Sequence, residues 1–121
     1  MSPDCHILLA EDEFLVALEL VTILTHEGAV VLGPAQTVHQ ALGLVARNSL
    51  DCALVDIQLA DGPSFAVADK LAESGVPFAF VTAYTESEMP PRHRKRPVIY
   101  KPFTYANLLT TVRGLVEKLS D

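Results

Sequence analysis

The chain of 121 residues has no tryptophan, only two cysteines and two methionines, and an aromatic content of 7%. Cys5 and Cys52 are too few for a disulfide-dense scaffold of the kind that lets small secreted proteins dispense with a large core. No apolar run approaches the ~20 residues that a membrane-crossing helix needs, and the first residues lack a signal-peptide pattern. Positive charge is also scarce, with nine Lys+Arg against fifteen Asp+Glu, a net charge of −6. A sequence-independent nucleic-acid binder wants the opposite sign, so direct nucleic-acid binding is not expected. What is abundant is apolar residue, at 50%. A chain of this length buries roughly two-thirds of its unfolded surface and can fold around its own core. The expectation is a single cytoplasmic domain over residues 1–121.

Apolar runs of strand length alternate with amphipathic stretches of helix length. The strands read as Cys5–Ala10, Ala29–Leu32 (closed by Gly33-Pro34), Cys52–Val55, Pro77–Val81 and Pro97–Tyr100. Between them, Phe14–Glu27 reads as a helix with Gly28 as a left-handed C-terminal cap. Val38, Ala41, Leu42 and Val45 recur at helical spacing. Gly62-Pro63-Ser64 opens a helix to about Glu73, and Thr104 is placed to cap the last helix. That helix aligns Leu108, Leu109, Val112, Leu115, Val116 and Leu119 on one side. The segment from Ala83 to Arg96 carries Pro90-Pro91 and the basic run Arg92-His93-Arg94-Lys95-Arg96, so any helix there should be short and interrupted.

This order predicts a doubly wound α/β domain with a five-stranded parallel sheet, flavodoxin-like, of strand order 2-1-3-4-5. Near-continuous apolar strands fit a sheet covered by helices on both faces. No internal repeat or linker is visible, and no output domain is expected after the last helix.

In such a sheet, ligands bind beyond the carboxyl ends of the strands. There the sequence places Glu11 and Asp12, then Asp56, Thr82 and Lys101, each directly after an apolar strand. Three carboxylates against one ammonium would repel in a partly dry pocket unless a cation joined them. An all-oxygen donor set without His or Cys points to a hard ion, and few carboxylates plus water suit Mg²⁺. Asp56 is then the candidate nucleophile for a phosphoryl group, with Thr82 and Lys101 available to its oxygens.

On these residues, as Leu8-Leu9-Ala10-Glu11-Asp12-Glu13, Leu54-Val55-Asp56, Val81-Thr82-Ala83 and Lys101-Pro102-Phe103, the sequence resembles a response-regulator receiver domain of two-component signalling. The resemblance spans essentially the whole chain. It implies a stand-alone phosphoacceptor whose Asp56 takes a phosphoryl group from a phosphohistidine on a sensor histidine kinase or histidine phosphotransfer protein. It further implies Asp12 and Asp56 as direct metal ligands, Glu11 acting through water, the Gln58 carbonyl completing the shell, and a cis Lys101-Pro102 peptide. The downstream protein target is not named by the sequence.

Two features depart from the common pattern. The aromatic switch usual three residues before the lysine is Val98 here. The stretch Phe80-Val81-Thr82-Ala83-Tyr84 resembles the Phe-x-Thr-Gly/Ala-aromatic signature of an alphaproteobacterial subgroup of single-domain receivers. Tyr84 or the Ala83–Arg96 segment is then expected to replace the switch, and Gln58, Ala83 and Tyr84 to modulate phosphoryl lifetime.

The rival readings are a Mg²⁺-dependent small-molecule phosphohydrolase and a receiver-like binding module that is never phosphorylated. A flavodoxin-type FMN binder is weaker, because the acidic first loop would repel the ligand's phosphate. Cys5 and Cys52 read as small buried hydrophobes rather than a redox pair. His6, His26, His39 and His93 lack metal-ligand spacing, and none reads as a phosphorylated histidine. The basic run reads as a solvated loop. On the first helix, Val16 and Ile23 share an arc with Glu19, His26 and Glu27, which makes them candidates for an exposed docking patch for the donor's helices.

Overall fold

Successive residues of a strand point to opposite sides of the sheet, so an unbroken apolar run feeds two cores at once. In β1 (His6–Ala10), Ile7 and Leu9 belong to one buried cluster and Leu8 and Ala10 to another. The computed structural model describes residues 1–83 and 89–120, with side chains through 117. After β1 come α1 (Phe14–His26), β2 (Val30–Ala35), α2 (Val38–Arg47), β3 (Cys52–Val55), the two-residue strands β4 (Gln58–Leu59) and β5 (Gly62–Pro63) and α3 (Phe65–Glu73). Then follow β6 (Phe78–Thr82), a 3-10 turn at Pro91–His93, β7 (Val98–Tyr100) and α4 (Tyr105–Ser120).

The main sheet has the order β2-β1-β3-β6-β7, and every pair is parallel. Counted by sheet strand, this is the 2-1-3-4-5 order expected from the sequence. One core holds Leu20 and Leu24 of α1 and Leu108 and Val112 of α4 against Ile7, Leu9, Leu54 and Ile99. The other holds Ala41 of α2 and Val67 and Leu71 of α3 against Leu8, Val55, Phe78 and Phe80. Cys5 and Cys52 are buried, unbridged members of the first core. Burial pushes the Cys52 thiol up to about 12, which keeps it neutral and apolar in character.

The helix ends follow local chemistry. Gly28 takes φ +93° after α1, with Ala29 N–H donating to the Leu24 carbonyl at 3.1 Å, as the glycine cap predicts. Thr37 accepts from Gln40 N–H (3.0 Å) at the start of α2, and Thr104 accepts from Asn107 N–H (3.0 Å) at the start of α4. Asp61, in the turn between β4 and β5, reaches across to the Val38 N–H at 2.7 Å and draws its own pKa below the usual carboxylate range.

Three readings from sequence are corrected, and one element is added. Gly33-Pro34 does not close the second strand, because β2 continues to Ala35 through a cis Gly33–Pro34 bond and a register shift opposite Leu8 and Ala10. Glycine is required there: at φ +113°, a Cβ would sit 2.4 Å from the Leu9 carbonyl oxygen. The β4–β5 hairpin was not foreseen, its strands being too short to show periodicity.

Ile23 is buried in the α1 core and Val16 packs partly against it, whereas Phe14, Leu15 and Leu18 are exposed. α1 carries apolar residues round most of its circumference, so its few polar positions do not mark its outer side. The basic run is solvated at Arg92, Arg94 and Lys95, as expected, but it is not a free loop. His93 is buried against the rings of Phe65, Phe78 and Phe80, Arg92 pairs with Asp69, and the Arg96 guanidinium lies 4.4 Å from the Phe78 ring centroid. Tyr84 and the Leu119 side chain lie outside the described residues.

Candidate functional site

The parallel register delivers several polar side chains to one rim. Asp56, one residue past β3, donates its N–H to the Ala10 carbonyl at 2.9 Å, which fixes the third strand's end beside the first. The Glu11 N–H donates to the Ala35 carbonyl at 2.8 Å, anchoring the start of the acidic loop to β2. Ser64, wholly buried at the start of α3, donates its hydroxyl to the Asp56 carbonyl and its N–H to the Ile57 carbonyl. On the other side, Lys101 N–H donates to the carbonyl of Thr82 at 3.0 Å, tying the end of β7 to that of β6. Lys101-Pro102 is a cis peptide.

Lys101 Nζ is the hub. It donates to Asp56 Oδ2 at 2.7 Å, Glu11 Oε1 at 2.8 Å and Glu13 Oε1 at 2.9 Å. Asp56 Oδ1 accepts instead from the Gln58 N–H at 3.2 Å. The lysine side chain is nearly buried, and that burial alone would weaken its charge. Hydrogen bonds to Asp56, Glu11 and Glu13 outweigh it and hold the ammonium above its ordinary range.

Glu11 shows the opposite balance. Burial first, then the neighbouring Asp56, pushes its carboxyl up to about 8 against the pull of Lys101. Its Oε2 is buried with no hydrogen-bond partner among the described residues. Glu11, Asp12 and Asp56 each place a carboxylate oxygen within 4.8 Å of the others. An orphaned buried oxygen in a group of three hard donors fits a small divalent cation, which would satisfy that oxygen and offset the crowding that now raises Glu11.

Of the residues singled out from sequence, Glu11, Asp12, Asp56 and Lys101 therefore meet at one point. Thr82 is buried at the end of β6, and Ala83 beside it is exposed. Gln58 contributes its N–H to Asp56, while its side chain donates to the Leu59 carbonyl at 3.3 Å. Val98 is half-buried at the start of β7, paired in register with Phe80 and packed on the α2–α3 side of the sheet. Sequence reasoning missed two participants. Glu13 was visible only as part of an acidic run, and Ser64 only as a residue that opens a helix.

Comparison with known proteins agrees with this geometry. The family described as response regulator receiver domain matches residues 7–113. The phyllosphere-induced regulator PhyR of Methylorubrum extorquens is 38% identical over 111 residues, covering 88% of this chain and 41% of that protein. The chain thus spans well under half the length of that relative. The solution structure of SdrG from Sphingomonas melonis Fr1 has a TM-score of 0.83 at 35% identity, covering 96% of this chain and 99% of that one. The solution structure of the BeF3-activated conformation of SdrG has a TM-score of 0.77 at 34% identity, covering 92% and 95%. With sheet order, strand-end carboxylates and the matched span in agreement, the chain belongs to the response regulator receiver domain family.

Proposed function

We propose that the protein is a cytoplasmic, stand-alone receiver in which Asp56 accepts a phosphoryl group from a phosphohistidine, on a sensor histidine kinase or a histidine phosphotransfer protein. An Asp56 carboxylate oxygen forms the O–P bond as the N–P bond breaks, and the electron pair leaves with the imidazole. Asp12 and Asp56, with Glu11 and the Gln58 carbonyl, would hold Mg²⁺, which when bound supplies charge neutralisation for the phosphoryl oxygens. Lys101 and the Thr82 hydroxyl serve the same oxygens from the protein side. The phosphoryl group adds roughly −1.5 to −2 of charge, and the altered surface is read by a protein target.

The observation that carries this reading is the Lys101 ammonium 2.7 Å from Asp56 within a cluster of hard oxygen donors. The chain is a signalling domain rather than a turnover enzyme, and family membership does not favour the phosphohydrolase alternative. Among the described residues no helix is long and apolar enough to cross a membrane.

Incubation with acetyl phosphate and Mg²⁺, followed by intact-mass measurement, tests the assignment. Wild type should gain one phosphoryl group and Asp56→Asn none. Undiminished labelling of the variant would reassign the nucleophile.

A further inference from the structure

A lysine ammonium has three N–H donors. In Lys101 each has its own carboxylate: Asp56 at 2.7 Å, Glu11 at 2.8 Å and Glu13 at 2.9 Å. A phosphoryl oxygen can therefore join this ammonium only when one of the three acceptors lets go. Release does not cost the same for each. The side chains of Glu11 and Asp56 are 0% and 5% exposed, so freeing either leaves a carboxylate oxygen where water is scarce. Glu13 is 60% exposed, and water replaces the lysine there at little cost. Glu11 and Asp56 also belong to the group of three that suits a cation, and Glu13 does not.

We propose that Glu13 is a positioning residue: it holds Lys101 over Asp56 in the resting protein and is the partner that the ammonium exchanges for the incoming phosphoryl oxygen. This rests on the phosphoacceptor reading of Asp56. In this role Glu13 competes with the donor for one N–H and leaves the transfer itself alone. It therefore sets the donor concentration needed for half-maximal labelling rather than the maximal rate.

The structure supplies its own control. Glu13 and Glu19 line the same open cleft of about 360 Å³, beside Ala83, Lys101 and Phe103, yet Glu19 makes no ion pair with Lys101. Removing either charge changes the field in the cleft equally in sign, but only Glu13 touches the ammonium.

The test measures the rate of Asp56 labelling against acetyl phosphate concentration in Mg²⁺, for wild type, Glu13→Gln and Glu19→Gln. The half-saturating concentration should fall two- to fivefold in Glu13→Gln, the range expected for one exposed ion pair. Its maximal rate should stay within twofold of wild type, and Glu19→Gln should match wild type in both. The Glu13→Gln difference should also shrink as ionic strength rises from roughly 0.05 to 0.5 M. Equal shifts in both variants would overturn the proposal in favour of general cleft charge. A lower maximal rate at an unchanged half-saturating concentration would also overturn it, by assigning Glu13 to the transfer step. Wild type that takes up no label overturns both this inference and the phosphoacceptor reading beneath it.

Discussion

Glu11 Oε1 accepts from Lys101 Nζ at 2.8 Å, yet the other oxygen of the same carboxylate is buried with no partner among the described residues. One oxygen of the group is thus paired with a cation while the other is starved of solvation. The net result is a carboxyl raised to about 8 from an ordinary 4.5. A raised acid means that the folded state binds more protons than the unfolded chain between those two values, so stability falls as pH rises through that window. Without metal, Glu11→Gln should therefore be more stable than wild type at pH 8, by about 1–3 kcal/mol, and should converge on it below about pH 5. Urea unfolding at several pH values checks this. A Glu11→Gln curve parallel to wild type across the whole range would refute the assignment.

The same carboxyl makes divalent-ion binding depend on pH. A proton on Glu11 competes with the cation for the site, so apparent Mg²⁺ affinity should rise by up to roughly tenfold per pH unit from 6 to 8 and then level off. Calorimetry in buffers of different ionisation enthalpy should show a proton released on binding at pH 7. At a hundred times its Kd, the ion should stabilise the protein by about 2.7 kcal/mol. Asp12→Ala should lose most of that gain, because Asp12 belongs to the cation cluster but makes no ion pair with Lys101. An equal Mg²⁺-induced rise in melting temperature for Asp12→Ala and wild type would place the ion elsewhere.

Ser64 acts on Asp56 from below. Its buried hydroxyl donates to the Asp56 carbonyl, and the first turn of α3 starts from the same residue. Ser64→Ala strands that carbonyl and should cost about 1–3 kcal/mol. Because Asp56 is set partly by this bond, labelling by acetyl phosphate should also slow. Denaturant unfolding and the labelling rate measure the two effects separately, and unchanged values in both would leave Ser64 a simple helix opener.

These residues also show what could be read in advance. Asp56, Thr82 and Lys101 were legible because each ends an apolar run, and a parallel sheet brings such ends to one rim whatever lies between. The strands were legible for the same reason, since Ile7 and Leu8 must both be apolar when both faces are covered. The outward side of α1 was not, because Phe14, Leu15 and Leu18 look no different in sequence from the buried Leu20 and Leu24. Glu13 was hidden because its role depends on a lysine 88 residues away. His93 was hidden inside a run of cations that suggested water on every side.

That histidine is the anchor of its segment. Asp69 Oδ1 on α3 accepts from His93 Nε2 at 2.8 Å, and the same carboxylate takes two hydrogen bonds from Arg92, at 2.7 and 3.0 Å. The imidazole stacks near Phe65 and meets Phe78 and Phe80 edge to face, with ring centroids 5.8 to 6.4 Å away. Residues 91–96 are thereby fastened to α3 by a buried ring and an exposed ion pair. The two contributions should separate by mutation. Arg92→Ala removes an exposed, solvent-screened partner and should be the mildest of the three. Asp69→Ala also strands the buried Nε2 and should cost about 1–3 kcal/mol. His93→Ala opens a cavity among three aromatic rings and should be the most damaging, at about 2–4 kcal/mol. Hydrogen exchange should show the new opening first in residues 91–96, ahead of β1 and β3. If Arg92→Ala proves as destabilising as His93→Ala, the surface ion pair and not the ring holds this segment down.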